Sequence, residues 1–319
     1  MSKREKGYLL IVIVAVIMST PEVALKAFTG IFAPMQLCCE RVLVGAIAIL
    51  PLALRDLKAR GIKMEGHDYL RFLGLGFLMV PMQMALQQLA ICHIDASAVA
   101  TIFCGNPITT MILAHLILHE PMRRNNIAAL CFQFLGIVLI VNPFSVELET
   151  RGFLEILVST CVYSVLTTYS KPTVTKFGSI CVGCFNLLFG GLELLFLLLL
   201  GHIPAIAALY TRMGLEICAN VPFFAGFSAR TILPFLYVAC LCAGYGYVLI
   251  VKVIEYTSAT ESSFIYLVKP ILSCCLASFA LHEVISPSRM ASVACSTVAS
   301  LCITVPLLRE RKKARTASE

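Results

Sequence analysis

The chain reads as a series of long apolar runs separated by short polar joints. Each run has about 20 residues, the length that a helix needs to cross a bilayer core of roughly 30 Å. The pattern predicts ten transmembrane helices: residues 8–28, 35–54, 69–90, 96–118, 126–143, 152–171, 179–200, 231–252, 258–281 and 288–308. One joint is long, residues 201–230, and a weakly amphipathic stretch around Ile206–Ile217 predicts a short helix at the membrane surface there. The charged residues 309–319 predict a disordered tail.

Part of the sequence recurs 163 residues further along the chain. The matched residues are Pro107 with Pro270, Leu118-His119-Glu120 with Leu281-His282-Glu283, and Pro143 with Pro306. Internal repeats in a very apolar chain are typical of secondary transporters, whose halves rock around a site between them. We therefore expect an all-α integral membrane protein whose ten transmembrane helices form two inverted five-helix repeats, residues 1–145 and 146–308, followed by a basic tail at 309–319.

The basic residues indicate the orientation of the predicted spans. With the N-terminus inside, 18 of the 25 Lys and Arg residues fall in inner segments, 4 in outer segments and 3 within spans. Because cytoplasmic loops carry an excess of Lys and Arg, both termini are expected in the cytoplasm, beneath the cell membrane. Five helices per half is an odd number, so the halves have opposite orientations. The loop with Arg123 and Arg124 then lies inside, and the matching loop with Arg289 lies outside.

The composition excludes a soluble domain. Hydrophobic residues make up 59% of the chain and charged residues 13%, whereas soluble domains carry about 25% charged residues. The net charge of +7 sits in short clusters between apolar runs, so the expected partner is the lipid bilayer, with no nucleic acid. Most of the 15 cysteines lie inside apolar runs and act as small hydrophobes. Cys181 and Cys184 have redox spacing, but no partner pair accompanies them.

Several segments together resemble the EamA family of the drug/metabolite transporter superfamily, over about residues 8–308. Residues 19–26 resemble its first-helix segment ending in a Lys, and Arg41 resembles its second-helix Arg. Pro107 and Glu120 resemble its fourth-helix Pro and closing Gly-Glu, with His in place of Gly, and repeat two matches at Pro270 and Glu283. The resemblance implies a secondary carrier, most often an exporter of amino acids or other small metabolites. It also implies a cavity between the halves, lined by helices 1, 3, 4, 6, 8 and 9.

Two charged residues inside spans are the leading candidates for binding a small-molecule substrate. A charge at the bilayer centre costs at least about 2.5–3.5 kcal/mol, so it requires a partner or a function. Lys269 lies ~16 Å deep beside Pro270 and can hold a carboxylate or phosphate, or belong to a structural ion pair. Glu22 lies within ~5 Å of that depth. It can pair with Lys26 one turn away, pair with Lys269, or bind an ammonium group or a proton.

Polar residues on the other expected cavity helices extend the candidate substrate-binding set. Gln83 and Gln87 share one face of the third span, and Asn106 occupies the position equivalent to Lys269. Three tyrosines on the sixth, eighth and ninth spans require hydrogen-bond partners when buried; they are Tyr163, Tyr245 and Tyr266. Each of these residues can instead make a hydrogen bond between helices.

The remaining polar residues within spans predict structural roles. His115, His119 and Glu120 lack a third ligand and are expected to anchor a helix end, so no metal or cofactor is expected. Glu120 and Glu283 are expected to form a cap or a short salt bridge at matching helix ends.

Three further features of the spans are expected to be structural. Lys26 and Arg41 are expected to snorkel to the outer interface. Glu193 is expected to be structural or to face lipid. Small residues between Ala291 and Ser300 suit packing against the fifth span or a homodimer.

The sequence therefore favours an exporter of small polar metabolites such as amino acids, working by alternating access. The alternative is a sugar-phosphate or nucleotide-sugar exchanger. That substrate class calls for more than one buried cation, and Lys269 is the only clear one in the sequence. A membrane-embedded enzyme would need a catalytic cluster at one membrane face, and a scaffold would not need a mid-depth Lys beside Pro. We expect neither.

Overall fold

The computed structural model describes residues 3–106, 109, 112, 124–141, 149–246, 248–249, 253 and 264–316. Over these ranges the chain is helical, and its one extended feature is an isolated bridge between Thr29 and Phe32. The motif Leu118-His119-Glu120, and with it His115, lies outside the described residues.

The helices follow the predicted apolar runs, with several breaks. The first group comprises α1 (Lys3–Ser19), α2 (Pro21–Ala27), α3 (Pro34–Ala59), α4 (Gly66–Phe77), α5 (Ala85–His93), α6 (Ala96–Phe103) and α7 (Arg124–Val141). The second comprises α8 (Thr150–Phe177), α9 (Ser179–Leu200), α10 (Pro204–Arg212), α11 (Ile232–Leu236), α12 (Phe264–Leu281) and α13 (Pro287–Thr316). Two π-helical segments, Leu78–Met84 and Tyr237–Tyr245, continue α4 and α11.

Among the described residues, five stretches are long and apolar enough to cross a membrane. They are Leu9–Ala27, Pro34–Ala59, Gly66–His93, Thr150–Ser170 and Ser179–Leu200. Shorter apolar helices run through Ile127–Leu139, Ile232–Tyr245 and Lys269–Leu281. The chain is thus a multi-pass membrane protein whose described spans are all helical.

The first predicted span breaks between α1 and α2 because of Pro21. Proline has no N–H, so the carbonyl of Ile17 loses the hydrogen bond that a regular helix would supply. The Thr20 hydroxyl takes that place and donates to Ile17 O at 2.8 Å. One residue earlier, Ser19 O accepts a hydrogen bond of 2.9 Å from Ser273 Oγ on α12. The break thereby turns backbone carbonyls of the first span toward other helices.

The two π-helical segments each lie beside a close crossing of glycines. A Cβ added at Gly76 would lie 2.6 Å from the amide nitrogen of Gly190 on α9. A Cβ added at Gly45 on α3 would lie 2.5 Å from Ala239 O and 3.2 Å from the amide nitrogen of Gly244. Only glycine permits backbones to approach so closely. Each half of the chain therefore contributes one π-helical segment that packs on a helix of the other half.

The long joint between α9 and α11 is folded, and it contains the short helix that the amphipathic pattern predicted, α10. Gln36 Nε2 on α3 donates to Ala225 O at 2.9 Å, and Glu40 Oε1 accepts from the Phe224 amide at 3.0 Å. Phe227 packs edge-on against Phe32, with ring centroids 5.0 Å apart. These contacts tie the joint to the start of α3.

The prediction of a disordered tail is wrong for most of its length. Helix α13 continues to Thr316, eight residues beyond the predicted end of the span at 308. The tail is rich in Arg and Lys and contains Ala, and all three residue types have high helix propensity. The predicted span ended at the first charged residues, but a helix can continue through charged residues into water.

Small residues on α13 pack against α7. Ser292 Oγ donates to Gly136 O at 2.6 Å, and a Cβ at Gly136 would lie 3.3 Å from Ser296 Oγ. Ala299 shares a small apolar cluster with Ala129. The sequence left two roles open for these small residues, packing against the fifth span and a homodimer contact. In the structure they pack against α7, which lies in the fifth predicted span.

Candidate functional site

Glu22 and Lys269 form a buried ion pair between α2 and α12. Lys269 Nζ lies 2.8 Å from Glu22 Oε1, and the residues are 1% and 7% exposed. The break at Pro21 places Glu22 in the first turn of α2, and Lys269 directly precedes Pro270. The second carboxylate oxygen, Glu22 Oε2, is buried and has no hydrogen-bond partner among the described residues. A buried acceptor without a donor is costly, so this atom is a candidate for binding an ammonium group or a proton.

Lys26, the other predicted partner of Glu22, bonds elsewhere. Its Nζ donates to Ile94 O at 2.9 Å and to Cys92 O at 3.4 Å, at the end of α5. A cation at a helix C-terminus is favourable because it meets unpaired carbonyls and the negative end of the helix dipole. Lys26 therefore ties two helix ends together, and Glu22 is left to Lys269.

An aromatic pair lies beside the ion pair. Lys269 Nζ lies 5.6 Å from the ring centroid of Phe103, at the end of α6, which is within the range of a cation–π contact. The Phe103 ring packs against Tyr163 on α8, with centroids 5.2 Å apart. Tyr163 is thus one aromatic ring away from the ion pair.

Gln83 joins the π-helical segment to α8, and Gln87 is its partner one turn later. Gln83 Nε2 donates to Gln87 Oε1 at 3.1 Å and lies 3.3 Å from Ser159 Oγ, which itself donates to Gln83 O at 2.9 Å. The Ser159 bond uses a main-chain carbonyl within the π-helical segment, where the regular helical bonding pattern changes. Gln83 therefore makes the kind of contact between helices that the sequence left open, and Gln87 accepts a hydrogen bond from Gln83 within the same span.

Asn106 lies beyond α6, buried against α8. Its carbonyl accepts hydrogen bonds from Thr109 Oγ1 at 2.9 Å and Ser164 Oγ at 3.3 Å. Its Nδ2 is buried with no hydrogen-bond partner in the described part of the chain. An amide nitrogen of this kind is an unused donor.

One predicted tyrosine, Tyr245, is not part of this cluster. Tyr245 is 38% exposed, and its hydroxyl donates to Ala48 O on α3 at 3.4 Å. The backbone of Tyr266 is part of α12, but its side chain lies outside the described residues.

Three residues near the ion pair were not among the predicted site residues. Thr20 Oγ1 lies 2.7 Å from Tyr237 OH, which connects the break in the first span to the second π-helical segment. Its position before Pro21 was the available signal. No feature of the sequence indicated Phe103 as a site residue.

Arg41 was expected to snorkel to the interface, and that prediction is wrong: it is 6% exposed.

Glu283 forms the cap predicted for a helix end. Its carboxylate accepts hydrogen bonds from the Ala96 amide at 2.9 Å and from Ser97 Oγ at 2.6 Å, at the start of α6. His282 reaches this position through a left-handed backbone conformation, with φ of 55°, which suits the Gly of the resembled pattern better. Arg289 pairs with Asp95 at the same place. The end of α12 is thereby fixed to the start of α6.

The described residues include one cluster with metal-ligand chemistry, at the start of α4. Ligand atoms of Glu65, His67 and Asp68 lie within 4.8 Å of one another. Both Asp68 oxygens already accept from Lys176 Nζ, at 2.8 and 2.9 Å, so a cation occupies the position that a metal would need. The cysteines with redox spacing are both free.

Comparison with known proteins agrees with this architecture. The sequence profile of the EamA-like transporter family matches residues 5–142 and 150–305. An uncharacterized transporter from Clostridium kluyveri is 31% identical over 288 residues, covering 88% of this chain and 86% of that protein. An uncharacterized transporter from Archaeoglobus fulgidus is 22% identical over 134 residues, covering 42% of this chain and 48% of that protein.

The fold also has a counterpart of known structure. One solved crystal structure superposes with a TM-score of 0.60 at 15% identity, covering 95% of this chain and 98% of the other. At that identity the likeness concerns the fold alone. Because the family profile covers nearly the whole chain, this multi-pass membrane protein is a transporter and belongs to the EamA-like transporter family.

Proposed function

We propose that the protein exports small polar metabolites such as amino acids by alternating access. The observation that carries this proposal is the Glu22–Lys269 pair with its unused acceptor, Glu22 Oε2. The ammonium group of an amino acid is a donor that satisfies this oxygen. Its binding also weakens the hold of Lys269 on the same carboxylate, since two cations then compete for one anion.

The proposed architecture is ten spans in two inverted repeats, residues 1–145 and 146–308. Three observations support it. The family profile matches two successive stretches that fall within these bounds. A π-helical segment occurs in both halves, beside a glycine crossing in each case. The ion pair joins α2 of one half to α12 of the other, so it lies between the halves, where inverted-repeat carriers bind their substrates.

The proposed orientation places both termini, including the tail at 309–319, in the cytoplasm beneath the cell membrane. The distribution of basic residues supports it. In this orientation Lys26 and the Glu283 cap lie at the outer side, and the long joint with α10 lies on the outer surface.

The proposal extends to a set of side chains around the ion pair. Gln83, Gln87, Asn106 and Tyr163 lie on the helices that surround it, and Asn106 Nδ2 is available to an acceptor. Tyr245 and Tyr266 remain predictions from the sequence alone.

A transport assay tests the proposal. The purified protein is reconstituted into liposomes and assayed for exchange of labelled amino acids, with and without a pH gradient. Exchange should be saturable, and Lys269→Ala should abolish it while the protein still folds and inserts. Lys26→Ala is the matched control, because this lysine is on the same short helix as Glu22 but bonds to backbone carbonyls. Equal exchange by wild type and Lys269→Ala contradicts the proposed site.

The burial of Arg41 favours a second candidate substrate class, sugar phosphates or nucleotide sugars. That class calls for more than one buried cation, and Arg41 is buried as well as Lys269. The same liposomes, assayed for phosphate-ester exchange, distinguish the two candidates.

A further inference from the structure

Among the residues that the structure describes, no carboxylate pairs with the buried cation Arg41. It lies within α3 and is 6% exposed, and its Nε has no hydrogen-bond partner among the described residues. Its guanidinium contacts the Cys38 thiol one turn earlier, but a thiol is a weak acceptor and carries no opposing charge. In the described part of the chain, no carboxylate lies within ion-pair distance of it. Such a group is costly in a membrane span unless something neutralises it.

The adjacent acid does not neutralise Arg41. Glu40 Oε1 accepts from the Phe224 amide at 3.0 Å, and Gln36 Nε2 lies 3.3 Å from both of its carboxylate oxygens. Consecutive residues of a helix point in directions about 100° apart. Glu40 is therefore directed toward the long joint, while Arg41 has another orientation.

The side chains one turn before and after Arg41 show which direction it faces. Leu37 packs in one cluster with Val238 and Ala239, and Gly45 crosses Ala239 and Gly244. Because residues four apart share a helix face, Arg41 also faces the segment Tyr237–Tyr245.

That segment connects Arg41 to the ion pair. Tyr237 and Cys242 both contact Thr20, two residues before Glu22. The Cys242 thiol lies within electrostatic range of both Glu22 and Arg41. Arg41 and Glu22 are thus both neighbours of the segment Tyr237–Tyr245, and each has an unused polar atom, Nε in one case and Oε2 in the other.

We infer that Arg41 binds the anionic group of the transported molecule, a carboxylate or a phosphate. This inference rests on the proposed transport function and names the chemistry of its substrate. A guanidinium presents donors in a planar fork that matches both groups. An anion at Arg41 and an ammonium group at Glu22 Oε2 would together satisfy both unused atoms, which is the charge pattern of an α-amino acid.

The test compares variants of Arg41 in the same liposomes. Arg41→Met and Arg41→Lys are assayed for exchange of labelled amino acids, with unlabelled amino acids, the matching carboxamides and hexose phosphates as competitors. We expect Arg41→Met to lose about tenfold or more of the exchange, the effect of one charge-assisted hydrogen bond, and Arg41→Lys to lose less. In the wild type, carboxamides should compete poorly with the labelled amino acids. Equal competition by acid and amide overturns the inference.

A stability measurement tests the inference without any substrate. If Arg41 has no structural counter-ion, Arg41→Met should leave the unfolding midpoint unchanged or raise it, because the variant removes an unneutralised buried charge. Lys269→Met, which breaks an observed ion pair, should lower it. A comparable drop for Arg41→Met would show that Arg41 has a structural partner, and the inference would then be wrong.

The outcomes separate this inference from the proposed function. Arg41-dependent exchange of hexose phosphates, with none of amino acids, rejects the amino-acid proposal and supports an anion site at Arg41. Amino-acid exchange that persists in Arg41→Met supports the proposal and rejects the anion site. A wild-type protein that exchanges neither amino acids nor hexose phosphates rejects both.

Discussion

The pairing of Glu22 with Lys269 should appear as a large coupling in a double-mutant cycle. Both side chains are nearly inaccessible, 1% and 9% exposed, so solvent does not screen a contact of 2.8 Å. Removing one partner leaves the other charge buried, which costs about 3–5 kcal/mol in known cases. Glu22→Gln and Lys269→Gln should each destabilise strongly. The double variant should be more stable than the sum predicts, by about 0.5–3 kcal/mol.

The assay is the free energy of unfolding in mixed micelles with a rising fraction of SDS, measured for the wild type, both single variants and the double variant. A second cycle with Glu22→Gln and Lys26→Gln is the control. Lys26 is four residues from Glu22 but donates to Ile94 O and Cys92 O, so that cycle should be additive. Additivity in the Glu22–Lys269 cycle, or coupling only in the control, would refute the reasoning.

Three further predictions concern packing, capping and orientation. Gly76→Ala should lower the unfolding midpoint clearly, because its Cβ would lie 2.6 Å from the Gly190 amide nitrogen, whereas Gly74→Ala on the same helix meets open space and should not; equal midpoints would contradict the crossing. Glu283→Ala should lose about 0.5–2 kcal/mol, the contribution of a helix cap, and Glu283→Gln should lose part of it, because an amide keeps one of the two acceptor oxygens that the carboxylate uses; the same unfolding assay measures both. In a variant without native cysteines, reporter cysteines near Arg60, Arg124 and Lys313 should be protected from impermeant thiol reagents in intact cells, and one near Arg212 should react; labelling near Arg124 would contradict the inverted repeat.

Depth along a helix could be predicted from the sequence, because the rise per residue is constant. Counting residues from the ends of the apolar runs placed Glu22 and Lys269 at similar depths, and the two side chains meet. The same count could not decide between Lys26 and Lys269 as partners. That choice depends on the carbonyls at the end of α5, which also attract Lys26 and belong to a distant part of the chain.

The direction of a side chain could not be predicted as well as its depth. Arg41 was expected at the interface because a long side chain in lipid extends toward water, but its neighbours at one-turn spacing pack against another helix. Tyr245 lies at the end of a π-helical segment. A π-helical turn contains more residues than an α-helical turn, so a face assigned by α-helical periodicity is rotated beyond it.

The chain contains no tryptophan, so the ring of Phe103 next to Lys269 offers a spectroscopic reporter without background. Phe103→Trp would introduce a single indole, the aromatic group with the strongest attraction to a cation. Phe103 is half-buried and lies 5.6 Å from Lys269 Nζ. Its emission would therefore change with the position of that cation, and one fluorescence trace could follow the opening and closing of the ion pair during turnover.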